Sequence, residues 1–102
     1  MPKLYTYFGL EVFFYSNEHD PVHVHGQHGE QVSKAELTLQ DGIVVSIRIV
    51  PVSRRAMLTG KPLKDFTLLV HARAQEIVNK WNDHFVSNQH IQPETITRRI
   101  KE

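Results

Sequence analysis

The sequence predicts an α+β fold: a small antiparallel sheet of about four strands packed on one long C-terminal helix. Three observations carry this. Segments that alternate apolar and polar residues fill the chain up to Pro51. An Asp41-Gly42 pair joins two of them, and both central positions of a type I′ hairpin turn need positive φ. After Pro62 the period changes, and Phe66, Val70, Ala74, Ile77, Trp81 and Phe85 follow at spacings of three or four, which draws one apolar stripe along a helix.

The elements follow in order. Tyr5 to Tyr15 is aromatic and β-branched and reads as one strand. Ser16 to Pro21 is a turn by composition, and Pro21 biases Asp20 away from the helical region. Val22 to Gln27 is a short strand with Val22 and Val24 on one face and His23, His25 and Gln27 on the other. His28-Gly29-Glu30 is a turn. Lys34 to Leu39 alternates cleanly, and Ile43 to Val50 is its return strand, with Ile43, Val45, Ile47 and Ile49 expected on one face. Pro51 to Lys61 is locally basic and reads as loop or helical turn. The helix is expected over about Asp65 to Phe85, with Asp65 as its cap and Glu76–Lys80 as a supporting i,i+4 pair. Trp81, on the stripe, is expected in the core. The polar tail alternates weakly from Thr95 to Ile100, the pattern of an edge strand, and an open edge permits a homodimer.

Composition narrows the function classes. The chain has 102 residues, 40% of them apolar and 23% charged, which suits a single domain over 1–102 with an ordered core at about 4–86 and a polar tail at 87–102. There is no cysteine, so disulfides, thiolate zinc sites and cysteine nucleophiles are excluded. A net charge of +1 and no helix-turn-helix pattern argue against a dedicated DNA binder. No apolar run approaches the roughly 18 residues of a membrane span. The opening Met1-Pro2-Lys3-Leu4 lacks a signal-peptide layout. The expectation is a cytoplasmic protein.

Chemistry concentrates in one place. Four of the seven histidines lie between His19 and His28. On a strand, His23 and His25 point the same way with α-carbons about 6.5 Å apart. His19, across the proline turn, can fold back towards them, and Glu30 can add a carboxylate. One reading is a divalent transition metal such as zinc on His19, His23 and His25, since imidazole is a common ligand. Another is metal-free acid–base catalysis by His19, His23, His25 and Glu30, as in a ribonuclease, with Arg48, Arg54, Arg55 and Lys61 as candidate cations for phosphate. The third is structural or interface use. His23-x-His25-x4-Glu30 resembles part of the first cupin motif, but Asn17 and Leu37 stand where that motif has glycines. His71, His84 and His90 read as structural. Surplus aromatics on the second face of the first strand suggest an interface.

The run Phe13 to His25, then Gly29-Glu30, then Lys34-Ala35-Glu36-Leu37, resembles the domain-of-unknown-function 4160 family of small bacterial proteins. Its His-x-Pro-x-His-x-His signature matches His19, Pro21, His23 and His25, and Ile77 to Phe85, with Trp81, resembles its helical ending. The stretch from Leu39 to Pro62 is longer than the family pattern, and Val22 stands where a second proline is frequent. The resemblance implies His19, His23, His25 and Glu30 as site residues. It also implies a place in a toxin–antitoxin-like two-gene module, with a protein from a neighbouring gene as partner. It supplies no reaction.

Overall fold

A computed structural model describes residues 2–15 and 21–101. Its six strands are β1 (Lys3–Tyr7), β2 (Leu10–Phe13), β3 (His23–His28), β4 (Gln31–Gln40), β5 (Ile43–Pro51) and β6 (Glu94–Ile96). Its helices are α1 (Gly60–Ala72) and α2 (Ala74–Phe85). The sheet order is β5-β4-β3-β2-β1-β6, antiparallel throughout except that β6 runs parallel to β1. The α+β class is as expected. The four strands become six, the sheet is mixed, and the single long helix is two.

Each difference has a local cause. The first strand is divided by a two-residue turn at Phe8 and Gly9, whose φ values of 48° and 86° are those of a type I′ hairpin. Asp41 and Gly42 form the expected turn between β4 and β5 with φ of 53° and 78°. The expected face of β5 is shifted by a bulge. Leu39 pairs with Val44 but Thr38 pairs with Ser46, so Val45 is an extra residue. Val44, Ile47 and Ile49 therefore pack on the core, while Ile43 and Val45 are exposed.

The helical stripe holds its residues but not its continuity. Phe66, Val70, Ile77 and Trp81 are buried, and Ala74 and Phe85 pack at the margin of the core. Between the helices Arg73 leaves the helical region at φ −117°, ψ 20°, although its N–H still donates to Leu69 O. α1 starts earlier than expected, with Thr59 at its N-cap and Pro62 in its first turn, where a missing N–H costs nothing. Asp65 caps nothing. It is buried on α1 and paired with Arg99.

Both helices cover one face of the sheet. Tyr5, Tyr7, Leu10, Val12, Phe14, Val24, Ala35 and Leu37 meet Phe66, Leu69, Val70, Ile77 and Trp81 there. At the centre a Cβ on Gly26 would stand 2.5 Å from the Phe66 ring, so only glycine lets α1 lie this close to β3. Tyr5 donates its phenolic hydrogen to Glu76, which also pairs with Arg73. Burial and the Glu76 carboxylate together push the Tyr5 hydroxyl well above its usual pKa. After β5 the chain runs along β4, where Val32 N–H donates to Ala56 O and Leu58 N–H donates to Ser33 Oγ. In the tail, Ile91 and Ile96 are buried.

Candidate functional site

The register of β3 places the histidines. His23 and His25 share the face of the sheet opposite the helices, as the alternation predicts, with ring centroids 5.4 Å apart. They differ in environment. His25 is buried, stacked on Phe13 at 5.7 Å and covered by Tyr15 at 3.9 Å. Burial, reinforced by His23 and Lys34, lowers its pKa to about 4. At neutral pH His25 is therefore an uncharged imidazole: a ligand or hydrogen-bonding group, and no source of protons.

His23 is half-buried at the start of β3, with its ring 5.4 Å from Trp81. Its Nδ1 lies 2.7 Å from Pro21 O. A carbonyl only accepts, so Nδ1 carries the hydrogen, and Nε2 is the basic nitrogen of the neutral ring. Pro21 thus fixes the tautomer of His23. Trp81 contacts Phe14 and Phe85 as well, and holds the end of α2 over the β2–β3 margin.

Cross-strand pairing adds residues that spacing alone could not reveal. Glu36 is opposite His23 and Lys34 is opposite His25. Arg48 continues the first row on β5, opposite Glu36, and donates to its Oε1 at 3.0 Å. Lys34 Nζ is 3.7 Å from Glu36 Oε2. The outer face thus carries a row His23–Glu36–Arg48 beside a row His25–Lys34. Directly opposed positions on neighbouring antiparallel strands lie about 4.5–5.5 Å apart at Cα. Both Lys34 and Glu36 lay in the sequence run that resembles the family, but their proximity to the histidines follows only from register.

The other candidates lie elsewhere. Glu30 sits in the turn beyond β3, at the end remote from His23, and its carbonyl accepts from Arg55 Nη2 at 3.3 Å. His28 faces the Gly9 turn. Of the candidate cations, Arg48 shares the face of the histidines, while Lys61 pairs with Asp65. His19 lies outside the described residues. Among the described residues no three histidine, aspartate or glutamate side chains gather around a metal-sized volume. His84 stacks near Phe14, His71 stands by β5, and His90 lines a surface groove in the tail. The aromatics of the first strand are mostly core: Tyr5, Tyr7, Phe13 and Phe14 are buried, and Phe8 is the substantially exposed one among those described.

The apolar surface lies instead along β5. This strand ends the sheet, and its outer edge meets no other strand among the described residues. Ile43 is 64% and Val45 56% exposed. Beside them a groove of about 270 Å³ is lined by Val44, Val45, Ser46, Ile47, His71 and Ala74. Among the described residues no helix is long and apolar enough to cross a membrane.

The fold and this face define a small α+β domain whose sheet has one helix-covered face and carries the histidine pair on the other. Residues 9–82 match the model of a family described as a domain of unknown function, DUF4160, and the chain belongs to that family. No curated protein and no solved structure matches it.

Proposed function

We propose that this chain is a partner-binding module of a toxin–antitoxin-like two-gene system, and that an extended apolar segment of the partner protein adds to its sheet along β5. The observation that carries this reading is the combination of an open edge with a groove beside it. Strand addition draws affinity from main-chain hydrogen bonds and specificity from pockets that receive alternate side chains. β5 has nine residues, Ile43–Pro51, and pairs regularly with β4 from Ser46 onward. Edges not meant for pairing are usually blunted by lysine or proline. β5 has no lysine, its proline is terminal, and its one charge, Arg48, is held by Glu36. The test is co-purification with the product of the adjacent gene. Wild type is expected to form a stoichiometric complex, and Ile43→Lys/Val45→Lys to lose it while keeping its melting temperature. A complex indifferent to both substitutions would refute the β5 surface.

A second reading is supported by the His23 hydrogen bond. Metal-bound histidines commonly donate their other ring nitrogen to a backbone carbonyl, the arrangement His23 has with Pro21. In this reading His23 and His25, with His19, hold a divalent metal such as zinc, in a sensing or hydrolytic role. Ribonuclease chemistry by a pair of imidazoles is less favoured, because a His25 that stays neutral cannot serve as the acid. Metal would raise the melting temperature of wild type and not of His23→Ala.

A further inference from the structure

The cations of this chain are gathered at one end of the sheet. That end is built by the Phe8-Gly9 turn, the turn at 28–31, the segment 52–65 and the tail at 97–101. Gly9 faces His28, and Arg55 Nη2 donates to Glu30 O at 3.3 Å. Gln31 Nε2 donates to Thr59 Oγ1 at 3.3 Å, and Ile100 N–H donates to Tyr7 Oη at 2.9 Å. These segments carry seven of the twelve lysines and arginines and, among the described residues, two carboxylates, Glu30 and Asp65. A net charge of +1 conceals this segregation. Asp65 is answered within the fold by Arg99 at 2.9 Å and Lys61 at 3.7 Å. The side chains of Arg54, Arg98 and Lys101 are exposed and form no ion pair or hydrogen bond among the described residues.

Backbone strain marks the same end. Among the described residues, Phe8, Asp41, Arg54 and Asn88 have positive φ without being glycine. Aspartate and asparagine enter this region readily. Phenylalanine at φ 48° and arginine at φ 65° do so at a cost. Both side chains are exposed, so burial does not account for either. Strain of this kind is retained where a side chain is used.

Beside Phe8 a cleft of about 280 Å³ opens, lined also by Leu10, His28, Lys61 and Arg99. The guanidinium carbon of Arg99 lies 3.9 Å from the Phe8 centroid. Asp65 holds the edge of this guanidinium, and the side chain stays 48% exposed. The cleft lies by β2 and β3, in the middle of the sheet order. Arg54 follows β5 on one side of it, and Arg98 and Lys101 follow β6 on the other. Six strands at about 4.8 Å each make this end on the order of 24 Å wide.

We propose that this end of the molecule binds single-stranded RNA, with a base in the cleft beside Phe8 and Arg99 and phosphates on Arg54, Arg98 and Lys101. Unpaired bases stack on aromatic rings and guanidinium planes, while cations track the backbone. Stacking needs bases outside a duplex, which RNA loops and ends supply. No group has to leave its partner in the fold for this. An acidic peptide would use the cations and leave Phe8 without a role.

The probe is a labelled single-stranded RNA of about a dozen nucleotides, long enough to cross this end. It is titrated by fluorescence anisotropy at low salt into full-length wild type, Phe8→Asn and Arg54→Ala/Arg98→Ala/Lys101→Ala. Phe8→Asn creates the Asn-Gly pair that a type I′ turn favours. It is expected to melt no lower than wild type and to bind about fivefold or more weakly. A merely structural Phe8 would show the reverse, lower melting with unchanged binding. The triple variant should bind about tenfold or more weakly. Wild type should lose affinity with salt at a slope steeper, by about 2 in log K against log salt, than the triple variant, as three phosphate contacts on a single strand require. The triple variant touches no partnered side chain, so it decides where Phe8→Asn loses stability. No binding by wild type, a triple variant that binds like wild type, or equal affinity for a blunt duplex or for oligoglutamate would overturn the proposal.

Discussion

β3 and β5 share a period-two pattern, with Val24 between His23 and His25 in one and Ile47 between Ser46 and Arg48 in the other, yet the sheet uses them in opposite ways. β3 lies between β2 and β4, with Phe66 over Gly26 on one face and Phe13 and Tyr15 around His25 on the other. β5 pairs with β4 alone among the described residues and leaves its outer edge unpaired. Alternation tells which residues share a face. How many sides of a strand are covered is decided by its place in the sheet. The central strand is consequently the intolerant one, and the edge strand the available one.

Three substitutions or conditions should break the central strand, in descending order. Trp81→Ala removes the side chain that packs on His23, Phe14 and Phe85. It should cost about 3–5 kcal/mol in urea unfolding, the range for truncating a large buried aromatic.

Acid should act next, through His25. Its folded pKa of about 4 lies below the usual 6.5, so the unfolded chain binds the proton more readily. The stability held by the neutral ring is complete above pH 6.5 and is lost as pH falls towards 4. The loss should be on the order of 2–3 kcal/mol. Urea midpoints at pH 7.5 and 4.5 should separate strongly for wild type and less for His25→Phe. An equal separation in both would place the acid sensitivity elsewhere.

Gly26→Ala comes third. The added Cβ would meet the buried Phe66 ring at 2.5 Å, so α1 must shift, at about 1–3 kcal/mol. Thermal melting checks this, and Gly42→Ala is a poor control because Gly42 sits at φ 78°.

The fold was legible where a local conformation demanded particular residues. Asp41-Gly42 announced its turn because few residues accept two positive φ values, and the stripe from Phe66 to Phe85 announced the helical face. The turn at Phe8 was hidden because phenylalanine is not a turn residue, and its flanks read as continuous strand. The bulge at Val45 arises from pairing with β4, which a single strand's pattern does not encode. The helix break at Arg73 has no proline or glycine to mark it. Asp65 looked like a cap because it is an aspartate near a helix start. Its carboxylate is instead committed to Arg99, a partner 34 residues away. In the same way the convergence of His23 and His25 was readable from strand period, whereas Lys34, Glu36 and Arg48 joined them only through register.

At the edge, the smallest effect on stability should accompany the largest effect on function. Val45 is 56% exposed, so Val45→Lys should change unfolding free energy by no more than about 0.5 kcal/mol. The most direct test of the central claim is amide hydrogen exchange along Ser46–Val50, in the free chain and in the complex with the adjacent gene's product. Strand addition predicts slowed exchange at alternate amides of this segment in the wild-type complex, and none with Val45→Lys. A complex that forms with β5 exchanging as fast as in the free chain would contradict the account.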